Sequence, residues 1–173
     1  MKLADCIIKN PAYTLVVLSG AVAVLFLSVA LVAQYGFNQH PCHLCIAQRV
    51  PYALIVVVSI FASILKLSPQ RMEQLVMLCA LLFLTDAGIA VYHSGVELGY
   101  FPGPSGCTNN DKPGATIEEM RAAIMNAALV PCDQPMVYIL GLSMASWNAI
   151  AALCSAIGTW VGFRKMQKIS TKN

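Results

Sequence analysis

Four apolar runs, each about as long as a bilayer is thick, constrain this chain more than any other feature. A helix needs roughly 20 apolar residues to cross about 30 Å of hydrocarbon. The runs at about 13–33, 46–65, 75–92 and 136–163 are of that order. The first and fourth carry no charge, Arg49 is the only charge in the second, and Asp86 interrupts the third. In lipid every backbone N–H and C=O must be paired within its own segment, which a helix achieves. The expected fold is an all-α membrane protein. It is a single integral domain over 1–173, a four-transmembrane-helix bundle with outer loops at about 35–45 and 94–135. Composition agrees: 11% of residues are charged and 58% hydrophobic, where a soluble domain carries about 25% charged. A net charge of +3 is too small to point to a nucleic-acid partner.

The first run exceeds the apolar core of a secretory signal, and no small-residue cleavage site follows, so it reads as a retained anchor. Lys and Arg set the orientation. Lys2, Lys9, Lys66, Arg71, Arg164, Lys165, Lys168 and Lys172 fall at the N-terminus, the 66–72 turn or the C-terminal tail. The other side holds only Arg49, Lys112 and Arg121, against five acidic residues, Glu97, Asp111, Glu118, Glu119 and Asp133. Both termini are therefore expected in the cytoplasm. Within the long loop, Thr116 and Glu119 form a capping box, and Ile117, Met120, Ile124, Ala127 and Ala128 follow at helical spacing. This predicts a short amphipathic helix that either rests on the membrane surface or packs the loop against the bundle.

The seven cysteines divide along the same line. Cys6, Cys79 and Cys154 fall in the N-terminal segment or inside spans, where cysteine usually serves as a small hydrophobe. Cys42, Cys45, Cys107 and Cys132 fall on the outer side, where a bacterial periplasm would let disulfides persist. A bridge between Cys107 and Cys132 would close a loose loop, lowering unfolded-state entropy by roughly 3 kcal/mol. Cys42-His43-Leu44-Cys45 closes a loop too small to need stapling. Its Cys-x-x-Cys spacing favours reversible exchange, and the positive end of a helix starting just after it would stabilise a thiolate at Cys45. A structural disulfide stays open, as does a metal site. His40, Cys42, His43 and Cys45 are four candidate zinc ligands, but packed so closely that tetrahedral convergence is difficult. Haem attachment needs His directly after the second cysteine, and Ile46 stands there. No metal is expected, and His40 and His43 read as exposed loop residues.

Ionisable groups at membrane depth are functional candidates because burying them is costly. Arg49 suits hydrogen bonding to the carbonyl oxygen of a lipid-soluble acceptor; the alternative is an arginine snorkelling to the interface. Asp86, His93 and Glu97 share one helical face if the helix persists past Gly95. Asp86 reads as a buried hydrogen-bonding residue between helices, and His93 as a proton donor or polar contact for the acceptor. Trp147 and Trp160 read as membrane packing.

The segments PCHLCIAQR, YHSGVELGYFPGPSGC, VPCDQ and LGLSMASWNAI occur in this order across nearly the whole chain. Together they resemble the DsbB family, membrane thiol oxidoreductases coupled to quinone. The resemblance implies a protein of the bacterial inner membrane that reoxidises a periplasmic DsbA-like, thioredoxin-fold partner and passes two electrons to ubiquinone or menaquinone. It implies that Cys107–Cys132 takes electrons from the partner and that Cys42–Cys45 receives them by internal exchange, with Cys45 nearest the quinone. It further implies that Arg49 matches the family arginine that contacts the quinone and that His93 matches the histidine before the first loop cysteine; with its place near the outer end of the third span, His93 is the second candidate quinone-binding residue. Such a partner sits near about −120 mV, and each 30 mV of mismatch costs about 1.4 kcal/mol, so a strongly oxidising acceptor is required. Tyr100-Phe101 stands where the family often has tryptophan, and His43 is unusual between the first two cysteines; both bear on partner preference and potential. The competing reading is a non-enzymatic membrane scaffold or metal-binding subunit with structural disulfides. Vitamin-K-epoxide-reductase-like proteins share four helices and a Cys-x-x-Cys but place the pair late in the bundle.

Overall fold

A computed structural model describes residues 10–65, 67–104, 116–118, 131–133 and 138–170. Cys6, Cys107 and most of the amphipathic helix expected after Thr116 lie outside them. Four long helices run α1 (Pro11–Gly36), α2 (His43–Ile64), α3 (Pro69–Glu97) and α4 (Met144–Ser170). A two-stranded antiparallel hairpin, β1 (Tyr138–Ile139) and β2 (Leu142–Ser143), precedes α4. All four helices contain segments long and apolar enough to cross a membrane.

Local chemistry sets the helix ends. Asn10 caps α1 by accepting from the Ala12 and Tyr13 N–H groups, and Pro11 occupies the first turn, where its missing N–H costs nothing. Ser68-Pro69 starts α3 in the same way, without a side-chain cap bond. Past its end Gly99 takes φ +73°, and the Tyr100 N–H returns to the Gly95 carbonyl at 2.8 Å. That turn folds Phe101 back over Gly95, where even a Cβ would lie 2.2 Å from the ring.

Two boundaries differ from the apolar runs. The fourth run counted from 136, but the helix begins at Met144 because the chain first makes the hairpin. Leu140 and Gly141 both have positive φ, as a type I′ turn requires, and Trp147 Nε1 holds the hairpin by donating to the Ile139 carbonyl at 2.9 Å. The second helix begins at His43, not near 46, so the cysteine pair lies at its first turn instead of preceding it.

The core is built on Tyr52, which stacks on Phe26 at 5.3 Å and meets Phe83 edge-on at 6.1 Å, with Val16, Ile55, Val76 and Cys79 fully buried around it. α1 approaches α2 closely at Gly20, where a Cβ would meet the Ser59 side chain at 2.3 Å. Leu18, Leu25, Val32, Ile60, Leu81 and Leu84 face outward, as a lipid-exposed surface requires.

Candidate functional site

The alternation of the helices brings the end of α1, the start of α2, the end of α3 and the start of α4 to one end of the bundle. Cys42 is the N-cap of α2, and its sulfur accepts the Cys45 N–H at 3.2 Å. Cys45 stands one turn along, with the two sulfurs 2.8 Å apart and Cys42 donating. That bond, and then burial, push Cys42 up to about 12, so the proton shared by the pair stays on Cys42.

α3 contributes the groups facing the pair. The helix persists through Glu97, so Asp86, His93 and Glu97 do share an inward face. His93 Nε2 lies 3.5 Å from Cys42 Sγ and 3.7 Å from Glu97 Oε1, and Glu97 Oε2 accepts from the Ser143 hydroxyl. His93 Nδ1 meets Gln48 Nε2 at 2.9 Å. Asn148 of α4 then links Gln48 Oε1, at 3.1 Å, to Asp86 Oδ2, at 3.0 Å, and accepts from Tyr52 at 2.8 Å. Asp86 thus ties α3 to α4, as expected of a buried carboxylate between helices.

Cys132 is buried and packs with Cys42, Cys45, Leu44 and Val96. Arg49 is half-buried; its guanidinium donates to the Gln34 side chain and to the Ala30 carbonyl of α1. His40 and His43 are exposed. Among the described residues, donor atoms of Cys42, Cys45 and His93 converge within 4.8 Å of one another, a different metal-competent set from the four-residue one.

A cavity of about 360 Å³ opens among these groups. Phe26, Ala30, Ala33 and Trp147 give it apolar walls, while Cys42, Cys45, Arg49, His93 and Cys132 border it. Its size and mainly apolar surface suit a largely apolar ligand, with polar side chains, Glu97 among them, along its border. Gln39, which also borders it, has a buried Oε1 with no hydrogen-bond partner among the described residues, leaving an acceptor open to a ligand hydroxyl. Gln48 entered the sequence reading only within PCHLCIAQR, and Gln39, Tyr52 and Asn148 carried no role there; for Gln48, Tyr52 and Asn148, polar side chains inside apolar runs were the available signal, whereas Gln39 lies in the loop between two runs.

Fold and site together define a four-helix membrane protein with a dithiol pair opening onto an apolar cavity at one end. The chain belongs to the DsbB family, disulfide bond formation protein DsbB, whose family model matches residues 12–162. It is 31% identical to disulfide bond formation protein B 1 of Pseudomonas fluorescens over 88% of this chain and 89% of that one. It is 28% identical to disulfide bond formation protein B of Cupriavidus metallidurans, covering 90% and 94%. An uncharacterized protein of Rickettsia prowazekii is 28% identical, covering 79% and 78%. No solved structure matches. The chain is therefore a multi-pass membrane protein of disulfide bond formation, and its family implies disulfide oxidoreductase activity.

Proposed function

We propose that the protein reoxidises a periplasmic DsbA-like dithiol partner and delivers the electrons to a membrane quinone from the inner membrane, with both termini cytoplasmic. The observation that carries this reading is that Cys42, Cys45 and Cys132 border the same apolar cavity as Arg49 and His93. A bound quinone supplies the two-electron acceptor. Arg49 would hold it by hydrogen bonding to a carbonyl oxygen, and Gln39 Oε1 would accept from the hydroxyl of the reduced form.

The protein's sulfurs move the electrons by thiolate exchange. A partner thiolate attacks Cys107, breaking the Cys107–Cys132 bond and releasing the Cys132 thiolate. Cys132 attacks Cys42, forming a new bond and releasing Cys45 as thiolate on the cavity wall. The partner's second thiolate then frees Cys107, which attacks Cys132, restores Cys107–Cys132 and releases Cys42, so that Cys42 and Cys45 together hold the two electrons as a reduced pair; re-forming the Cys42–Cys45 bond would pass both electrons to the quinone. Burial of Cys132 against Cys42 supports the second step, since no long movement is needed.

The test is purified protein with reduced DsbA-type partner and a soluble quinone analogue, followed by quinone absorbance. Quinone reduction that depends on both protein and partner is expected. Inert disulfides and no quinone reduction would support the scaffold reading instead.

A further inference from the structure

Hydrogen-bond direction can be followed outward from Asp86. Its side chain is fully buried beside the Tyr52 hydroxyl, Oδ2 receives the Asn148 amide, and Oδ1 has no hydrogen bond within the distance limit among the described residues. With this arrangement Oδ2 is an acceptor whether or not the carboxyl is protonated at Oδ1. Asn148 must therefore turn Nδ2 toward Asp86, which leaves its Oδ1 for the Tyr52 hydroxyl. The same Nδ2 donates to Gln48 Oε1. With Oε1 so engaged, Gln48 presents Nε2 to His93 Nδ1. An amide nitrogen only donates, so Nδ1 carries the lone pair and the proton of the neutral ring sits on Nε2. The other side of the ring agrees independently. Nε2 faces Cys42 Sγ and Glu97 Oε1, both able to accept.

We propose that Asp86, Asn148 and Gln48 clamp His93 in its Nε2–H tautomer, with Asp86 as the remote positioning residue. Across three helices Asn148 donates back to Asp86 and forward to Gln48, Gln48 donates to His93, and His93 faces the sulfur of Cys42 with its remaining N–H. His93 is thereby a hydrogen-bond donor to Cys42 and not a base that removes its proton. Resting on the redox reading above, its N–H meets the negative charge left on Cys42 when Cys107 displaces it from Cys132. The tautomer itself does not depend on that reading.

The experiment is ring-nitrogen NMR of full-length, reduced protein labelled with ¹⁵N-histidine in detergent micelles, at a pH where the imidazoles are neutral. Three histidines contribute, and His93→Gln identifies the signals of interest. Wild type should show a pyridine-type Nδ1 and a pyrrole-type Nε2 for His93. Gln48→Glu puts an acceptor against Nδ1 and should move a proton onto it, converting Nδ1 to the pyrrole type. Asp86→Asn, nearly isosteric, removes the obligate acceptor and should let both amides rotate, shifting both ring nitrogens toward intermediate positions. Gln48→Leu serves if Gln48→Glu does not fold, and should give the same intermediate positions. A protonated Nδ1 in wild type, or an Asp86→Asn or Gln48→Leu spectrum identical to wild type, overturns the clamp. The expected spectra in a protein that reduces no quinone would leave the clamp standing and remove the redox reading.

Discussion

Replacing Arg49 separates two uses of one guanidinium. Arg49 tethers α2 to α1 through Gln34 and the Ala30 carbonyl, and it also borders the cavity. If it binds the quinone carbonyl, Arg49→Ala removes a charge-assisted hydrogen bond worth roughly 1.5–3 kcal/mol. At about 1.4 kcal/mol per decade, that raises the apparent KM for quinone roughly 10- to 150-fold. Arg49→Lys should fall between, because an ammonium cannot reproduce the guanidinium fork. The tether supplies the control. Gln34→Leu abolishes the Nη1 contact while keeping the charge on the cavity wall, so it should raise KM far less. The assay is the initial rate of quinone-analogue reduction against its concentration, at saturating reduced partner. An unchanged KM in Arg49→Ala would refute quinone binding by Arg49, and an equal rise in Gln34→Leu would reduce its role to holding two helices together.

Alkaline-phosphatase fusions after Asp111 should be active and those after Arg71 inactive; the reverse would put the cysteine pair on the reducing side. Serine at Cys42, Cys45, Cys107 or Cys132 should abolish steady-state quinone reduction, whereas serine at Cys6, Cys79 and Cys154 together should retain most of it, measured in the same assay. In the reduced protein Cys42, pushed up to about 12 by its bond to Cys45 and by burial, should alkylate slowly at pH 8 and faster as pH rises toward that value. Cys45→Ala removes the larger cause and should speed Cys42 alkylation at pH 8, read by peptide mass spectrometry; no acceleration would refute the shared proton. Gly20→Ala pushes a methyl into the Ser59 side chain near its own backbone, so α1 and α2 must separate, costing about 1–3 kcal/mol and lowering the thermal midpoint in detergent.

Bundle, helix number and the cysteine pair were legible because each is written in local chemistry: bilayer-length apolar runs, Pro-led helix starts and a fixed Cys-x-x-Cys spacing. The start of α4 was not, because Tyr138, Ile139 and Leu140 are as apolar as a span, and only the positive φ at Leu140 and Gly141 marks the hairpin. The start of α2 was missed because a cysteine can cap a helix, a task usually given to Ser, Thr, Asp or Asn. The Asp86–Asn148–Gln48–His93 chain was hidden for a different reason. Its members come from three helices, and uncharged amides attract no attention until packing sets them end to end.

The capping role of Cys42 has a mechanical consequence. The sulfur that begins a membrane helix is also one that the proposed relay asks to bond elsewhere. If it swings out toward another sulfur, the Cys45 N–H loses its acceptor at the first turn. A lost cap costs about 0.5–2 kcal/mol, equivalent to about 10–40 mV for a two-electron couple. Each departure of Cys42 would thus load the end of α2 like a spring, and the recoil favours return of the sulfur to its neighbour in the helix. Redox exchange at this site and the winding of one helical turn would then be a single event.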